Sequence, residues 1–296
     1  MTRESENILV IGASGMLGTA LCNLWDEATD RLTQAAYPVE NDAQIELDIT
    51  DAEAVEKLID QVKPDLVFNC SAFTDVDGAE THEDQATAVN GHGAGHLARA
   101  CAGHHSFLLH VSTDYVFQGN GKTPYLPDDP PGPQSAYGRS KLLGEEQIKA
   151  ALDDWSIVRT SWLFGQHGKN FVDAILKLTQ KQSELKVVDD QIGCPTYTVD
   201  LARCLKGLAR RRARGVYHFS NGPPCTWFDF AKRIIEITHC PCEISPCGTD
   251  AFPRPAPRPA FSVLDCSYTF DRLGWTARPW PIALQDYLQA HQVRLT

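Results

Sequence analysis

No stretch of this chain approaches the roughly 20 apolar residues that a bilayer crossing requires. Its start, MTRESE followed by the short run NILVIG, carries no secretory core either. Basic residues are in deficit, 27 Lys and Arg against 38 Asp and Glu, a formal charge of −11. That balance argues against a protein that coats nucleic acid or an anionic membrane, while a few local arginines can still hold an anionic small molecule. Zinc spacing is lacking as well, despite ten cysteines. Most of them (Cys70, Cys101, Cys204) sit singly in apolar runs, where a reduced thiol behaves as a small hydrophobe. The exception groups His239, Cys240, Cys242 and Cys247, but its C-x-C spacing and two prolines fit no zinc pattern. It reads as a cysteine-rich loop without a metal. No internal repeat is visible. These absences leave a soluble, cytoplasmic chain with neither nucleic acid nor membrane as partner.

What is present is ample: 296 residues, 43% of them hydrophobic, can bury a large core and more than one domain. NILVIGASGMLGTALCNLW reads as a buried strand, a glycine turn and an amphipathic helix. DLVFNC, SFLLHVST and WSIVRTSWLF read as further buried strands, with helical periodicity between them and a proline- and aspartate-rich loop over 119–133. Strands alternating with helices predict an α/β fold, a Rossmann-like doubly wound parallel sheet. Beyond Leu163 the alternation loosens. We therefore expect a dinucleotide-binding domain over 1–163, with a returning segment near 185–213, and a smaller, interleaved C-terminal substrate domain over 164–296. ARRRAR, residues 209–214, is most simply the solvated end of a helix.

Gly12, Gly15 and Gly18 fall between the first strand and the first helix. Glycines there let the backbone turn tightly against a pyrophosphate. The acid expected on the adenosine ribose about 20 residues later is missing, with Ala35 and Ala36 near that point and no arginine for a 2′-phosphate. Asp48 stands where it can face the adenine side. Further on, SAYGRSKLLGEE places Tyr137 and Lys141 four residues apart, neighbours on one helix face. An ammonium beside a phenol favours the phenolate and eases loss of its proton, which suits a general acid. Alone, such a pair is also common on ordinary amphipathic helices.

Together, the glycine loop, a strand ending HVSTDYVF and the YxxxK pair resemble the extended short-chain dehydrogenase/reductase superfamily. Within it, NCSAFTDVDGAE, STDYVFQGNGKTPY, YGRSKLLGE, RTSWLFGQHGKNF, DDQIGCPT and RPAFSVLD resemble the dTDP-4-dehydrorhamnose reductases over nearly the whole chain. The resemblance implies Tyr137 as proton donor, Lys141 as its partner and ribose ligand, and Thr113 on the reacting oxygen. It implies NADPH or NADH as cofactor, held by Gly12, Ser14, Gly15, Met16, Leu17, Gly18, Asp48, Ile49, Ser71, Ala72 and Phe73 with Tyr137 and Lys141. A nucleotide-sugar substrate, the 4-keto sugar reduced to dTDP-L-rhamnose in polysaccharide biosynthesis, would meet Thr113, Asp114, Tyr115, Trp162, Asn170, Gln191 and Arg258. Arg258 suits a diphosphate through its guanidinium fork, whereas Arg254 fits a proline-rich linker. Some members pair through an acidic, magnesium-bridged surface, which admits Mg2+ although no motif for it stands here, and a monomer or homodimer is expected.

Neighbouring chemistries resemble the chain less. Nucleotide-sugar dehydratases carry Asp-Glu where this chain has Asp114-Tyr115, and epimerases carry Ser or Ala. The regulatory β subunit of methionine adenosyltransferase, a non-catalytic alternative, lacks the Thr160-Ser161-Trp162 found here.

Overall fold

The run NILVI becomes the first strand, β1 (Asn7–Ile11), in which Ile8 to Ile11 are almost wholly buried. A strand apolar on both faces has to be covered on both, and a parallel sheet with helical crossovers does this. The computed structural model describes residues 5–25 and 30–295; the polar start noted above, residues 1–4, lies outside the described residues. After β1 come α1 (Met16–Cys22), β2 (Arg31–Ala36), β3 (Gln44–Glu46), α2 (Ala52–Val62), β4 (Leu66–Asn69), α3 (Glu83–Ala86), α4 (Ala94–His104), β5 (Phe107–Thr113), α5 (Ala136–Ala151) and β6 (Trp155–Thr160). The C-terminal part holds β7 (Leu163–Phe164), α6 (Phe171–Thr179), β8 (Glu184–Val188), β9 (Ile192–Gly193), β10 (Thr196–Tyr197), α7 (Thr198–Arg210) and β11 (Gly215–His218). It ends with β12 (Cys225–Thr226), α8 (Trp227–Thr238), β13 (Glu243–Cys247), α9 (Ser267–Leu273) and α10 (Trp280–Leu295).

Seven strands form one parallel sheet in the order β11-β6-β5-β4-β1-β2-β3. The chain winds outward from β1 through β2 and β3, then crosses to β4 and winds the other way. That reversal opens a crevice at the carboxyl ends of β1 and β4, where doubly wound sheets bind ligands. Alternation along each strand divides the core. Ile8, Val10 and Phe68 pack with Leu17, Leu21, Leu201 and Leu205 on one face, so α1 and α7 cover it. Leu9, Ile11 and Val67 pack with Leu58, Leu97, Cys101 and Ile148 on the other, beneath α2, α4 and α5.

A third, aromatic-rich core joins Phe164, Val172, Ile175, Tyr197, Phe230, Trp280, Leu284 and Tyr287. Within 185–213 only α7 lies on the large sheet: β8 pairs instead with β13 and contributes Val187 to the third core. Residues beyond 163 also return β11 to the large sheet and lay α9 against α7.

Two sequence expectations need correction. The cysteine-rich segment is not all loop, because Glu243–Cys247 forms a strand whose backbone pairs with β8. The arginines of 209–214 are not merely solvated. Arg210 binds Glu6 and Asp30 and lies over the Trp25 ring, Arg212 donates to Asp65 O at 2.7 Å, and Arg214 binds Asp154 at 2.8 Å. They clamp α7 and β11 to the start of the sheet. Among the described residues no helix is long and apolar enough to cross a membrane, and no group of three or more His, Cys, Asp or Glu could hold a metal ion.

Candidate active site

The crevice is built first from glycine. Gly12 sits at φ +77°, and a Cβ there would lie 2.7 Å from Ser71 N, so the end of β1 meets the segment after β4 only because side chain is absent. A Cβ on Gly18 would fall 2.1 Å from Gly12 O, so this glycine packs α1 onto the turn from behind. No side chain caps the first turn of α1. The result is a backbone cradle at one end of a 740 Å³ cleft. Gly12, Ser14, Gly15, Met16, Leu17, Asp48, Ile49, Ser71, Ala72 and Phe73 all line that cleft, as do Tyr137 and Lys141. The bare cradle and the volume of the cleft fit a dinucleotide. Asp48 is occupied locally, its Oδ1 accepting from Thr50 N at 2.9 Å and Thr50 Oγ1 at 2.8 Å. β2 ends at Ala36, and Tyr37 follows in the cleft wall. Arg31 stands at the opposite end of β2, in register with Asn7, too far down the strand to serve a ribose phosphate.

The reacting end is set by β5 and α5. Ser135 caps α5, its Oγ accepting from Gly138 N at 3.1 Å. A Cβ on Gly138 would lie 2.3 Å from Tyr115 O, so glycine lets the strand-end loop press against the helix. The Tyr115 and Tyr137 rings meet edge to face at 5.6 Å. Thr113 closes β5; its hydroxyl donates to Asp114 Oδ1 at 3.0 Å and accepts from Tyr115 N at 3.2 Å. Burial pushes the Tyr137 phenol up to about 12, the neighbouring Thr113 hydroxyl pulling the other way. At neutral pH Tyr137 therefore holds its proton. Asp114 is lifted to about 6, mainly by burial, and among the described residues its Oδ2 has no hydrogen-bond partner.

Lys141 is 2% exposed, and burial lowers it to about 8. Its Nζ donates to Val111 O at 2.7 Å and meets His110 Nε2 at 3.2 Å. Lys141 lies one turn from Tyr137 on α5, as the sequence spacing expects, and its hydrogen bonds run to β5.

Thr113, Asp114, Tyr115 and Trp162 line the same cleft. Trp162 adopts φ +48° and stacks on Trp227 with centroids 3.5 Å apart, a flat apolar plate facing the reacting end. Asn170, Gln191 and Arg258 are not brought into the wall. Asn170 caps α6, accepting from Asp173 N at 3.1 Å. Gln191 accepts from Trp227 Nε1 at 3.2 Å and donates to Thr249 Oγ1 at 2.9 Å, supporting the plate from outside. Arg258 binds Asp77 at 2.8 Å, while Arg254 reaches the same carboxylate at 3.7 Å and is 59% exposed.

Sequence reasoning missed Tyr37, Ser161 and Lys169 in the wall and Asn69, Asn90 and His110 behind it. Asn90 lies in a π-helical turn, Thr87–Gly93, and its amide accepts from Phe73 N at 2.9 Å and donates to Phe73 O and Ser140 Oγ. It locks the cofactor-side loop to α5. The available signal was a polar residue inside an apolar run, as in SFLLHVST and ATAVNG.

A doubly wound sheet, a glycine cradle and Thr113, Tyr137 and Lys141 on one cleft define an oxidoreductase of the short-chain dehydrogenase/reductase kind. Residues 6–293 match the family described as RmlD substrate binding domain. The chain is 41% identical to the spore coat polysaccharide biosynthesis protein SpsK of Bacillus subtilis (strain 168), covering 95% of this chain and 96% of that protein. It is also 41% identical to dTDP-4-dehydrorhamnose reductase of Mycobacterium tuberculosis (strain ATCC 25618 / H37Rv), over 98% and 95%. Among solved structures, dTDP-4-dehydrorhamnose reductase of Bacillus anthracis str. Ames in complex with NADP superposes with a TM-score of 0.91 at 33% identity, over 97% of this chain and 99% of that one. The chain belongs to the dTDP-4-dehydrorhamnose reductase family.

Proposed function

We propose that this enzyme reduces the C4 keto group of dTDP-6-deoxy-L-lyxo-4-hexulose to give dTDP-L-rhamnose, using either NADPH or NADH. One observation carries the reading. Tyr137 and Thr113 line the same cleft as the glycine cradle and the Trp162 face of the Trp162–Trp227 plate. The names of the relatives support the nucleotide sugar, and the NADP in the Bacillus anthracis structure supports a nicotinamide cofactor.

The nicotinamide group, when bound, supplies the hydride. Gly12, Ser14, Gly15, Met16 and Leu17 would hold its pyrophosphate, and Lys141 would serve its ribose. Asp114 holds the Thr113 hydroxyl in place, and on substrate binding the single threonine proton turns from Asp114 Oδ1 to the carbonyl oxygen and orients it. Tyr137 donates its proton to that oxygen; a phenol held near 12 stays loaded at neutral pH and gives the proton up only as alkoxide charge develops. The tryptophan plate excludes water and packs on the sugar. Residues 164–296, of which His167, Gly168 and Lys169 line the cleft, serve mainly the nucleotide sugar, and Arg258, released from Asp77, serves the diphosphate. Asp114-Tyr115 leaves no second carboxylate to eliminate water, which separates this site from a dehydratase.

The test is NAD(P)H oxidation against a panel of dTDP- and UDP-4-keto-6-deoxy sugars, with product stereochemistry read by NMR. Turnover to the L-rhamno product is expected. No oxidation with any member, together with capture of a methionine adenosyltransferase by pull-down, would replace this reading with the regulatory one.

A further inference from the structure

Behind the cleft, four residues form a buried chain that the reaction above does not use. Ser71 N and Ser71 Oγ both donate to Asn69 Oδ1, at 3.1 and 2.6 Å. A backbone N–H can only donate, so the Asn69 amide is fixed with its oxygen toward Ser71. Its Nδ2 therefore points at His110 Nδ1, 3.0 Å away. Nδ2 is a donor only, so His110 Nδ1 must accept and carries no proton. Asn69 and His110 are each 1% exposed, and burial, together with Lys141, holds the imidazole well below its ordinary value of 6.5. A neutral ring with a bare Nδ1 has its proton on Nε2. That N–H faces Lys141 Nζ at 3.2 Å. An ammonium has no lone pair to receive it, whereas an amine has one and can still donate to Val111 O.

We propose that His110, locked by Asn69 in its Nε2–H tautomer, is a positioning residue that favours the amine form of Lys141, making this lysine an exchangeable proton source rather than a permanent cation. The consequence for turnover balances. Tyr137 gives its proton to the alkoxide oxygen and is left as phenolate. By way of solvent, since Nζ itself is engaged with Val111 O and His110, an ammonium at Lys141 returns one proton to it and becomes the amine, to which His110 Nε2–H then donates. Solvent restores the lysine proton. Other groups act on the same nitrogen. Glu145 on α5 and Cys70 after β4 oppose the effect by favouring the cation. Glu145 is largely neutralised by Arg159 on β6 and by Lys149, and Tyr137 with Asp114 lies one turn toward the cleft. Among the described residues, the histidine is the neighbour whose hydrogen-bond geometry discriminates between the two forms.

The test uses the full chain without cofactor, labelled with 15N in histidine and 13C at lysine Cε. The His110 nitrogens should show the neutral Nε2–H tautomer from pH 6 to 9, and Lys141 should titrate near 8. In His110→Gln the side-chain amide is free to turn its oxygen toward the ammonium. Lys141 should then bind its proton about tenfold more tightly, a shift of about one pH unit, and the alkaline limb of kcat/KM should move up with it. An Nδ1–H or doubly protonated His110 in the native protein would overturn the proposal whether or not the variant folds. An unmoved Lys141 titration in a folded His110→Gln would overturn it too.

Discussion

Tyr137 and Asp114 sit side by side in the site yet are perturbed for opposite purposes. Burial keeps the phenol protonated, which is useful to an acid. Tyr137→Phe preserves the ring and its contact with Tyr115 while removing the proton. Its kcat should fall about 10²-fold or more with cofactor affinity unchanged, by steady-state assay and cofactor fluorescence titration. Asp114 is held at about 6 against an ordinary 3.8, so the folded state binds this proton more tightly than the unfolded chain. The sign follows: the raised group costs nothing below pH 4, costs progressively more from 4 to 6, and costs its full amount above 6. Two pH units correspond to about 3 kcal/mol at most. Asp114→Asn should therefore raise stability to urea at pH 8, with the gain vanishing near pH 4, while turnover falls because Thr113 loses its anionic acceptor. A variant equally stable to the native protein at both pH values would show that the carboxylate is not strained.

At the scale of elements, α5 is tied to the sheet by a buried ion pair. Glu145, wholly buried, accepts from Arg159 Nε at 2.9 Å, Arg159 Nη2 at 2.7 Å and Ser112 Oγ at 2.7 Å. Burial alone would raise its carboxyl, but Arg159 and Ser112 hold it below the ordinary 4.5. Its contribution is thus complete above about pH 4.5 and is lost as pH falls through the lowered value. Glu145→Gln strands a buried guanidinium and should cost about 3–5 kcal/mol at pH 7, less near pH 3, measured by denaturant unfolding. An equal loss at both pH values would assign the effect to packing. This tie was not legible in the sequence, where GEEQ and IVRT are unremarkable. β1, β4, β5 and the glycine turn were legible, because their apolar runs and glycines are set by local chain geometry. The strand Glu243–Cys247 was hidden by Pro246, which its edge pairing with β8 tolerates.

For the whole molecule, the sheet order and the position of the cleft follow from alternating strands and helices, so the fold class could be read directly. Contacts between distant segments could not. Asn69 to His110 spans 41 residues and Asp77 to Arg258 spans 181, and no periodicity reports such pairs. The end of β2 bears on cofactor choice. With Ala36 and Tyr37 there and Arg31 at the far end of the strand, NADH and NADPH should differ by less than about tenfold in kcat/KM, about 1.4 kcal/mol. A thousandfold preference would require a charged ligand from another segment.

The site requires hydride to reach C4 of a nucleotide-bound 6-deoxyhexose beside Tyr137 and Thr113. Reduction of the dTDP-4-keto sugar with NADPH carrying deuterium at both nicotinamide C4 positions, followed by NMR of the product, reads this out. One deuterium at hexose C4 in the L-rhamno configuration is expected. Deuterium at another carbon, or product without deuterium, would overturn the assignment of the site.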